Sequence, residues 1–293
     1  MINPHIPNWL RIILAILSIL SFIPQVHRIH SSKSSGGLSL GAILANLIVA
    51  TEQFTIFFYI LVNEYSSGPR FYTNDPPNAG DWINLVQTTV VWICFLIQFI
   101  LGIYYSTKRR LSLVVTYVAF LLISIALIIF DLIQWKIDPD WEKERMWLVV
   151  LFYGYHSIFL FPIIYALGIV AVYRQARLVL RSPDFPGAWS IRGLELQAIM
   201  FSLIALSWVW RIPFPWEEVE YPTFQVFQVW SSTVGWVAVD NGIFAVGQAL
   251  LLLLAKWRRR KTEVEEGTTS SDLDETEPLL AGGEGRGYAS VSP

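Results

Sequence analysis

Long apolar stretches alternate with short polar segments along most of the chain. A helix that crosses the hydrocarbon core of a membrane needs about 20 mostly apolar residues. Seven windows meet this requirement: residues 9–30, 38–62, 82–105, 111–133, 147–173, 190–211 and 229–257. Because backbone groups in lipid must form hydrogen bonds within their own segment, the windows predict an all-α integral membrane protein with seven transmembrane helices.

The composition agrees with a chain that is surrounded mainly by lipid. Of the 293 residues, 54% are hydrophobic and 15% are charged, which is too apolar for an ordinary soluble domain. The single cysteine, Cys94, excludes an internal disulfide and a thiolate metal cluster. No basic run precedes the first window, so we interpret it as a retained span rather than a signal peptide. We expect no catalytic residue, cofactor, metal or nucleic-acid partner.

The charges in the polar segments alternate in sign. The segments after the first, third, fifth and seventh windows are basic, whereas those after the second and sixth carry an acidic excess. Cytosolic segments of membrane proteins are enriched in Lys and Arg. The pattern therefore predicts a lumenal or external N-terminus and a cytosolic C-terminus.

A group of short motifs joins the first two windows. In chain order they are Pro24-Gln25, Lys33-Ser34, Gly37-Leu38-Ser39 and Asn46. Together they resemble the PQ-loop family of small-solute transporters, and their spacing is nearest to the cystinosin type. The resemblance implies that Pro24 and Gln25 form a hinge. Proline lacks an N–H and its ring clashes with the carbonyl four residues earlier, which loosens a helix.

The same resemblance implies two parallel three-helix repeats joined by a linker helix, and the chain contains traces of a repeat. Gln25 and Gln175 are 150 residues apart, and so are Gln98 and Gln248. The second copy departs from the family pattern, because Arg174 stands where the first copy has proline.

The connection that follows the first glutamine also has a counterpart. Gly37-Leu38-Ser39-Leu40 has a degenerate echo in residues 187–191. We therefore predict the first repeat over 1–105, the linker helix and its loops over 106–146, and a degenerate second repeat over 147–261.

Residues 262–293 have a different composition, rich in Glu, Thr, Ser, Asp and Gly. Such a segment buries too little apolar surface to offset its chain entropy, so we predict a disordered cytosolic tail. Within it, Glu275 lies four residues before the pair Leu279-Leu280. This resembles an acidic dileucine sorting signal, which an adaptor complex reads. The tail therefore predicts a vacuolar or lysosomal membrane location.

Polar residues inside the predicted spans are the candidate functional residues. An ionisable group near the centre of a span costs roughly 2.5–3.5 kcal/mol or more, so it normally faces a cavity. Asp240, Phe244 and Gln248 lie on one helix face. In the cystinosin type a corresponding acid, followed by an aromatic residue, is implicated in proton coupling. The resemblance predicts this role for Asp240, and an acid that pairs with a neighbouring helix is the alternative.

Amide side chains suit the amino and carboxylate groups of a small zwitterion, and they equally suit hydrogen bonds between helices. The predicted substrate-binding residues are Asn46, Gln53, Gln87, Gln98, Phe244 and Gln248. Further candidates, without a motif match, are Glu52, Glu195 and His156.

The leading hypothesis is proton-coupled export of an amino acid or related small solute from the vacuole or lysosome by alternating access. A sorting, retrieval or signalling receptor with seven helices is the alternative function. An intramembrane protease is excluded, because Asp131 and Asp240 follow Phe130 and Val239 rather than the residues that such proteases place before their acids. We therefore expect a membrane protein that is not an enzyme.

Overall fold

The computed structural model describes most of the chain. The described residues are 6–62, 73–74, 76–107, 110–138, 140–182, 187–212, 214 and 223–274, and at 142–144 and 263–274 only the backbone is described. All regular secondary structure in these ranges is helical. The helices are α1 (Asn8–Ser32), α2 (Leu40–Val62), α3 (Ala79–Tyr104), α4 (Leu111–Ile137), α5 (Trp141–Tyr155), α6 (Phe161–Arg181), α7 (Ile191–Trp208), α8 (Phe224–Thr233) and α9 (Trp236–Asp274).

Within the described residues, seven helical segments are long and apolar enough to cross a membrane, which confirms the predicted all-α fold class with seven transmembrane helices. The fifth of them, Arg145–Arg181, is longer than its predicted window and combines α5, a π-helical turn and α6. The turn, His156–Leu160, ends two residues before Pro162. Because Pro162 has no N–H and its ring clashes with the carbonyl four residues earlier, the helix widens at this point.

The seventh span begins later than predicted. Residues 224–233 form the separate helix α8, and the span itself starts at Trp236. Between them, the N–H of Gly235 donates to the carbonyl of Trp230 at 2.7 Å. The Trp230 ring lies so close that a Cβ atom at position 235 would collide with it. The predicted start at 229 is therefore wrong, because hydropathy does not register a turn that depends on one glycine and one ring.

The helix α9 continues to Asp274, whereas disorder was predicted from residue 262. Lys and Arg, which fill residues 258–261, are good helix formers and account for its continuation past the apolar part. Residues up to Ala255 form one compact unit, and residues from Lys256 form a second. The predicted sorting residues Glu275, Leu279 and Leu280 lie outside the described residues.

The helix α2 occupies the centre of the first unit. Of its spanning window, 72% is buried, compared with 11% for α4, so α4 presents its apolar side chains to lipid. The helix α2 packs against α3, α4 and α6, and α1 packs against α3 and α7. Polar side chains on α2 are therefore held inside the bundle, where they face the other helices.

Candidate functional site

Two adjoining cavities lie along the centre of the bundle and share the lining residues Asn46, Phe95 and Phe244. We call cavity A the one whose polar lining consists of Asn46, Gln53, Asp240 and Asn241. We call cavity B the one whose polar lining consists of Gln25, Asn46, Gln98, Gln175, Gln197 and Gln248. The structure thus brings most of the predicted site residues together.

Asp240 is buried in the wall of cavity A. Its Oδ2 atom accepts a hydrogen bond from Nε2 of Gln53 at 3.2 Å, while Oδ1 has no hydrogen-bond partner. Among the residues that the structure describes, no basic side chain forms an ion pair with Asp240. Burying an unpaired carboxylate is costly, and a proton or a cationic ligand group removes that cost.

A pair of ionisable groups begins at Glu52, the residue directly before Gln53 on α2. Nε2 of His156 is 3.1 Å from Oε1 of Glu52, and both side chains are buried. Nδ1 of His156 lies 2.6 Å from the carbonyl of Phe152, which can only accept, so Nδ1 carries a hydrogen. The contact between Nε2 of His156 and Oε1 of Glu52 is then favourable only when one proton lies between these two atoms, because otherwise two acceptors face each other. The third unmatched candidate, Glu195, is exposed and lines neither cavity.

At one end of cavity B, Gln25 of α1 contacts residues 187–190, the connection that leads into α7 and is distant from Gln25 in sequence. Its Nε2 atom donates to the carbonyl of Ala188 at 3.0 Å, and its Oε1 atom accepts from the backbone N–H of Ser190 at 3.0 Å. The guanidinium of Arg28 donates to the carbonyl of Gly187 at 3.2 Å. The end of α1 is therefore attached to the connection that leads into α7.

Gln175 of α6 makes the reciprocal pair of bonds. Its Nε2 atom donates to the carbonyl of Gly37 at 2.9 Å, and its Oε1 atom accepts from the N–H of Ser39 at 2.8 Å. The connection between α1 and α2 and the connection that leads into α7 also touch, because the N–H of Ala188 donates to the carbonyl of Gly36 at 2.9 Å. We call these contacts of Gln25 and Gln175 the glutamine–loop contacts.

The reciprocal bonds show how the two connections correspond. Each glutamine contacts a carbonyl and the N–H two residues later. These contacts pair Gly37 with Ala188, which are 151 residues apart, whereas the two glutamines are 150 residues apart. The shift of 151 also pairs Asn46 with Gln197, and both line cavity B. Sequence reasoning missed Gln197 because the 150-residue shift pairs Asn46 with a leucine. The signal that could have revealed Gln197 is the one additional residue in the second connection.

Cavity B offers unused amide groups. The Nε2 atoms of Gln98 and Gln197 are buried and have no hydrogen-bond partner. Phe244 packs against Phe95 and Phe201, with ring centroids 5.2 Å and 4.5 Å apart, between the two cavities. Gln87, also predicted to bind substrate, lines neither cavity.

Beyond cavity A lies a layer of buried rings, which we call the outer aromatic layer. Its members are Phe57, Phe161, Trp208 and Trp236. Phe57 lies one helical turn after Gln53, and Trp236 lies one helical turn before Asp240. The layer therefore covers the Gln53–Asp240 pair on one side. Within the described residues, no group of three or more His, Cys, Asp or Glu side chains is arranged to hold a metal ion.

These features define a class: an α-helical membrane protein whose described residues form seven apolar spans around cavities A and B, each lined mainly by apolar side chains with a few polar groups. Residues 6–67, which include the motifs from Pro24 to Asn46, match the family model described as PQ loop repeat. This match confirms the predicted resemblance to the PQ-loop family and does not single out the cystinosin type. The searches of curated proteins and of solved structures each found no match.

Proposed function

We propose that this protein exports an amino acid or related small solute from the vacuole or lysosome, driven by protons. The observation that carries the proposal is Asp240, a buried carboxyl group in cavity A whose Oδ1 atom is unpaired. A group of this kind can bind a proton from one side of a membrane and release it to the other. The Glu52–His156 pair is a second proton-holding group in the same region.

The amides of cavity B are the proposed solute ligands. Asn46, Gln98, Gln197 and Gln248 line one cavity and present both donors and acceptors. The unpaired Nε2 atoms of Gln98 and Gln197 suit a carboxylate or carbonyl oxygen of the solute. A few converging polar groups in an otherwise apolar cavity are typical of small-molecule sites.

Alternating access requires that the two ends of the cavities open one at a time. We assign the inner closure to the glutamine–loop contacts and the outer closure to the outer aromatic layer. Pro24 lies inside the continuous helix α1, directly before Gln25. A bend at Pro24 would therefore move Gln25 relative to the connection that it contacts.

The test is Asp240→Asn in proteoliposomes with an imposed pH gradient. The variant imitates the protonated side chain at nearly constant volume, so we expect normal abundance, retained solute binding and loss of pH-dependent net transport. The matched control is Asp131→Asn, because Asp131 is also buried but forms an ion pair with Arg145 at 3.1 Å. We expect this control to lower abundance and to leave the pH profile unchanged.

Wild-type pH dependence in the Asp240→Asn variant would refute the coupling role. Failure of that variant to accumulate, with Asp131→Asn unaffected, would favour an acid that only joins helices. A receptor of the same fold would bind a solute without net uptake, so the uptake measurement also separates the two functions.

The proposed location has its own test. Replacing Leu279 and Leu280 by Ala is expected to move the protein from the vacuole or lysosome to the cell surface, because an adaptor complex then has no signal to read. Fluorescence microscopy of the tagged full chain measures this, and replacing Thr276 and Pro278 by Ala is the matched control. Unchanged localisation of the leucine variant would remove the sorting signal from the proposal.

A further inference from the structure

A separate polar cavity lies at the end of the bundle where α1 and α3 begin and α7 ends. We call it the outer vestibule, and its polar lining consists of Asn8, Arg11, Asn74, Asn78 and Arg211. Its only charged lining residues in the described part of the chain are the two arginines. None of the residues predicted from the sequence to bind substrate lines it.

Arg211, just after α7, is 5% exposed. Its Nη1 atom donates to Oδ1 of Asn84 at 3.1 Å and also to Oε1 of Gln87. The Nε and Nη2 atoms are buried and have no hydrogen-bond partner. The guanidinium carbon lies 4.6 Å from the ring centroid of Trp208, a member of the outer aromatic layer. The guanidinium is thus held at Nη1 by two amides and on one face by a ring, while its Nε and Nη2 groups form no hydrogen bond.

Arg11 of α1 lies beside Arg211. Its Nη1 atom donates at 3.5 Å to Oδ1 of Asn84, the same acceptor that Arg211 uses. Asp81, the acid that acts electrostatically on Arg11, accepts hydrogen bonds from Asn74 and from the N–H of Asn78 as part of the α3 capping box. No carboxylate of the described residues forms an ion pair with either arginine.

Two buried cations that share one neutral acceptor are electrostatically unfavourable. Burial, together with the charge of Arg11, lowers the pKa of Arg211 to about 9. At neutral and acidic pH the side chain still carries its charge, so an anion that enters the vestibule gains an interaction that no described group supplies.

We propose that the outer vestibule binds the carboxylate of the transported solute, with the Nε–H and Nη2–H edge of Arg211 as its fork. These two N–H groups lie on one side of the guanidinium and match the two oxygens of a carboxylate. The solute would dock here before it passes the outer aromatic layer. The inference rests on the proposed transport function and narrows the solute to one that bears a carboxylate.

Binding is tested without transport, on the full chain in phosphatidylcholine nanodiscs at pH 7. Sodium acetate is expected to raise the Tm in a saturable manner, whereas acetamide and sodium chloride at equal ionic strength leave it unchanged. Arg211→Gln should lose the acetate effect, with at least a tenfold weaker apparent Kd, and Arg211→Lys should weaken it because the fork is lost. The matched control is Arg192→Gln, which removes an exposed arginine at the other end of α7.

Several results would overturn the inference. Acetamide or chloride acting as strongly as acetate would show that no carboxylate is selected. Acetate binding that survives Arg211→Gln would place the anion elsewhere. If Arg211→Gln does not fold, wild-type acetate affinity in Arg211→Lys refutes the fork. Full displacement of acetate by added phosphatidylglycerol, at fixed protein concentration, would assign the site to lipid phosphate instead.

Transport assays separate this inference from the proposed function. With a panel of amino acids and their amides, uptake of both forms at equal rates would refute the carboxylate site while leaving a transporter. Acetate binding that depends on Arg211, without uptake of any panel member, would refute the transport proposal for these solutes and leave the site intact.

Discussion

Gln25 and Gln175 make the same pair of hydrogen bonds, yet the residues before them differ. Gln25 follows Pro24, whereas Gln175 follows Arg174. Each glutamine donates to a carbonyl and accepts from an N–H in the connection of the other half. The comparison indicates that glutamine, rather than proline, supplies the contact that both halves make.

The two contacts differ in what surrounds them. The connection bound by Gln25 is also held by the guanidinium of Arg28, which donates to the carbonyl of Gly187. The corresponding position near Gln175, residue 178, is a leucine and cannot donate such a bond. We therefore expect the Gln175 contact with the first connection to break before the Gln25 contact does.

The largest expected effect comes from Gln25→Leu and Gln175→Leu. Each variant leaves a backbone N–H and a carbonyl without their partner, at about 1 kcal/mol for each bond. Together the two bonds correspond to a shift of about thirtyfold in the equilibrium between closed and open inner ends. We expect either variant to reduce transport at least about tenfold, measured by solute uptake at equal expression.

Accessibility of cavity B gives an independent readout of the same variants. A single cysteine at Ala42, in a Cys94→Ala background, reports whether a thiol reagent reaches the cavity from the inner end. Labelling should become faster in both leucine variants. Loss of transport in Gln25→Leu, with wild-type behaviour in Gln175→Leu, would contradict the equivalence of the two glutamines.

Sequence reasoning predicted the seven spans and most of the cavity lining, because long apolar windows and buried amides are visible in the chain. It paired Gln25 with Gln175 but missed Gln197, since the one-residue shift appears only in the hydrogen bonds to the connections. Arginines near the ends of spans resemble ordinary interfacial residues, so the vestibule residues Arg11 and Arg211 were missed. Gln87 was assigned to the solute site, whereas its amide oxygen contacts Arg211.

A smaller effect is expected from the pair Asn46 and Gln197, which tests whether the 151-residue correspondence extends to the solute site. Replacing either one by Leu removes a polar group from cavity B and leaves the glutamine–loop contacts in place. One lost hydrogen bond to a ligand corresponds to about 1 kcal/mol, or about fivefold in affinity. We expect each variant to raise the KM by about that factor and to change maximal uptake little.

A matched control for this pair is Ser202→Ala. Ser202 lies on α7 like Gln197 and is exposed, and among the described residues its side chain bonds only to the carbonyl of Ala198. A raised KM for Asn46→Leu with an unchanged KM for Gln197→Leu would show that the second half does not contribute to solute binding.

The smallest expected effect separates the two residues that precede the glutamines. Pro24→Ala restores an N–H to the interior of α1, which strengthens the helix and stiffens any bend beside Gln25. We expect the variant to fold with an equal or higher Tm and to turn over about two- to threefold more slowly, since under 1 kcal/mol of added stiffness is involved.

Arg174→Ala is the matched change in the second half, where α6 already has a donor at this position, so its turnover should not fall. Uptake at saturating solute, normalised to protein in the membrane, measures both. Equal turnover in Pro24→Ala and wild type would reduce Pro24 to an ordinary membrane proline, and an equal slowing in both variants would show that the hinge depends on the side chain before glutamine rather than on the missing N–H.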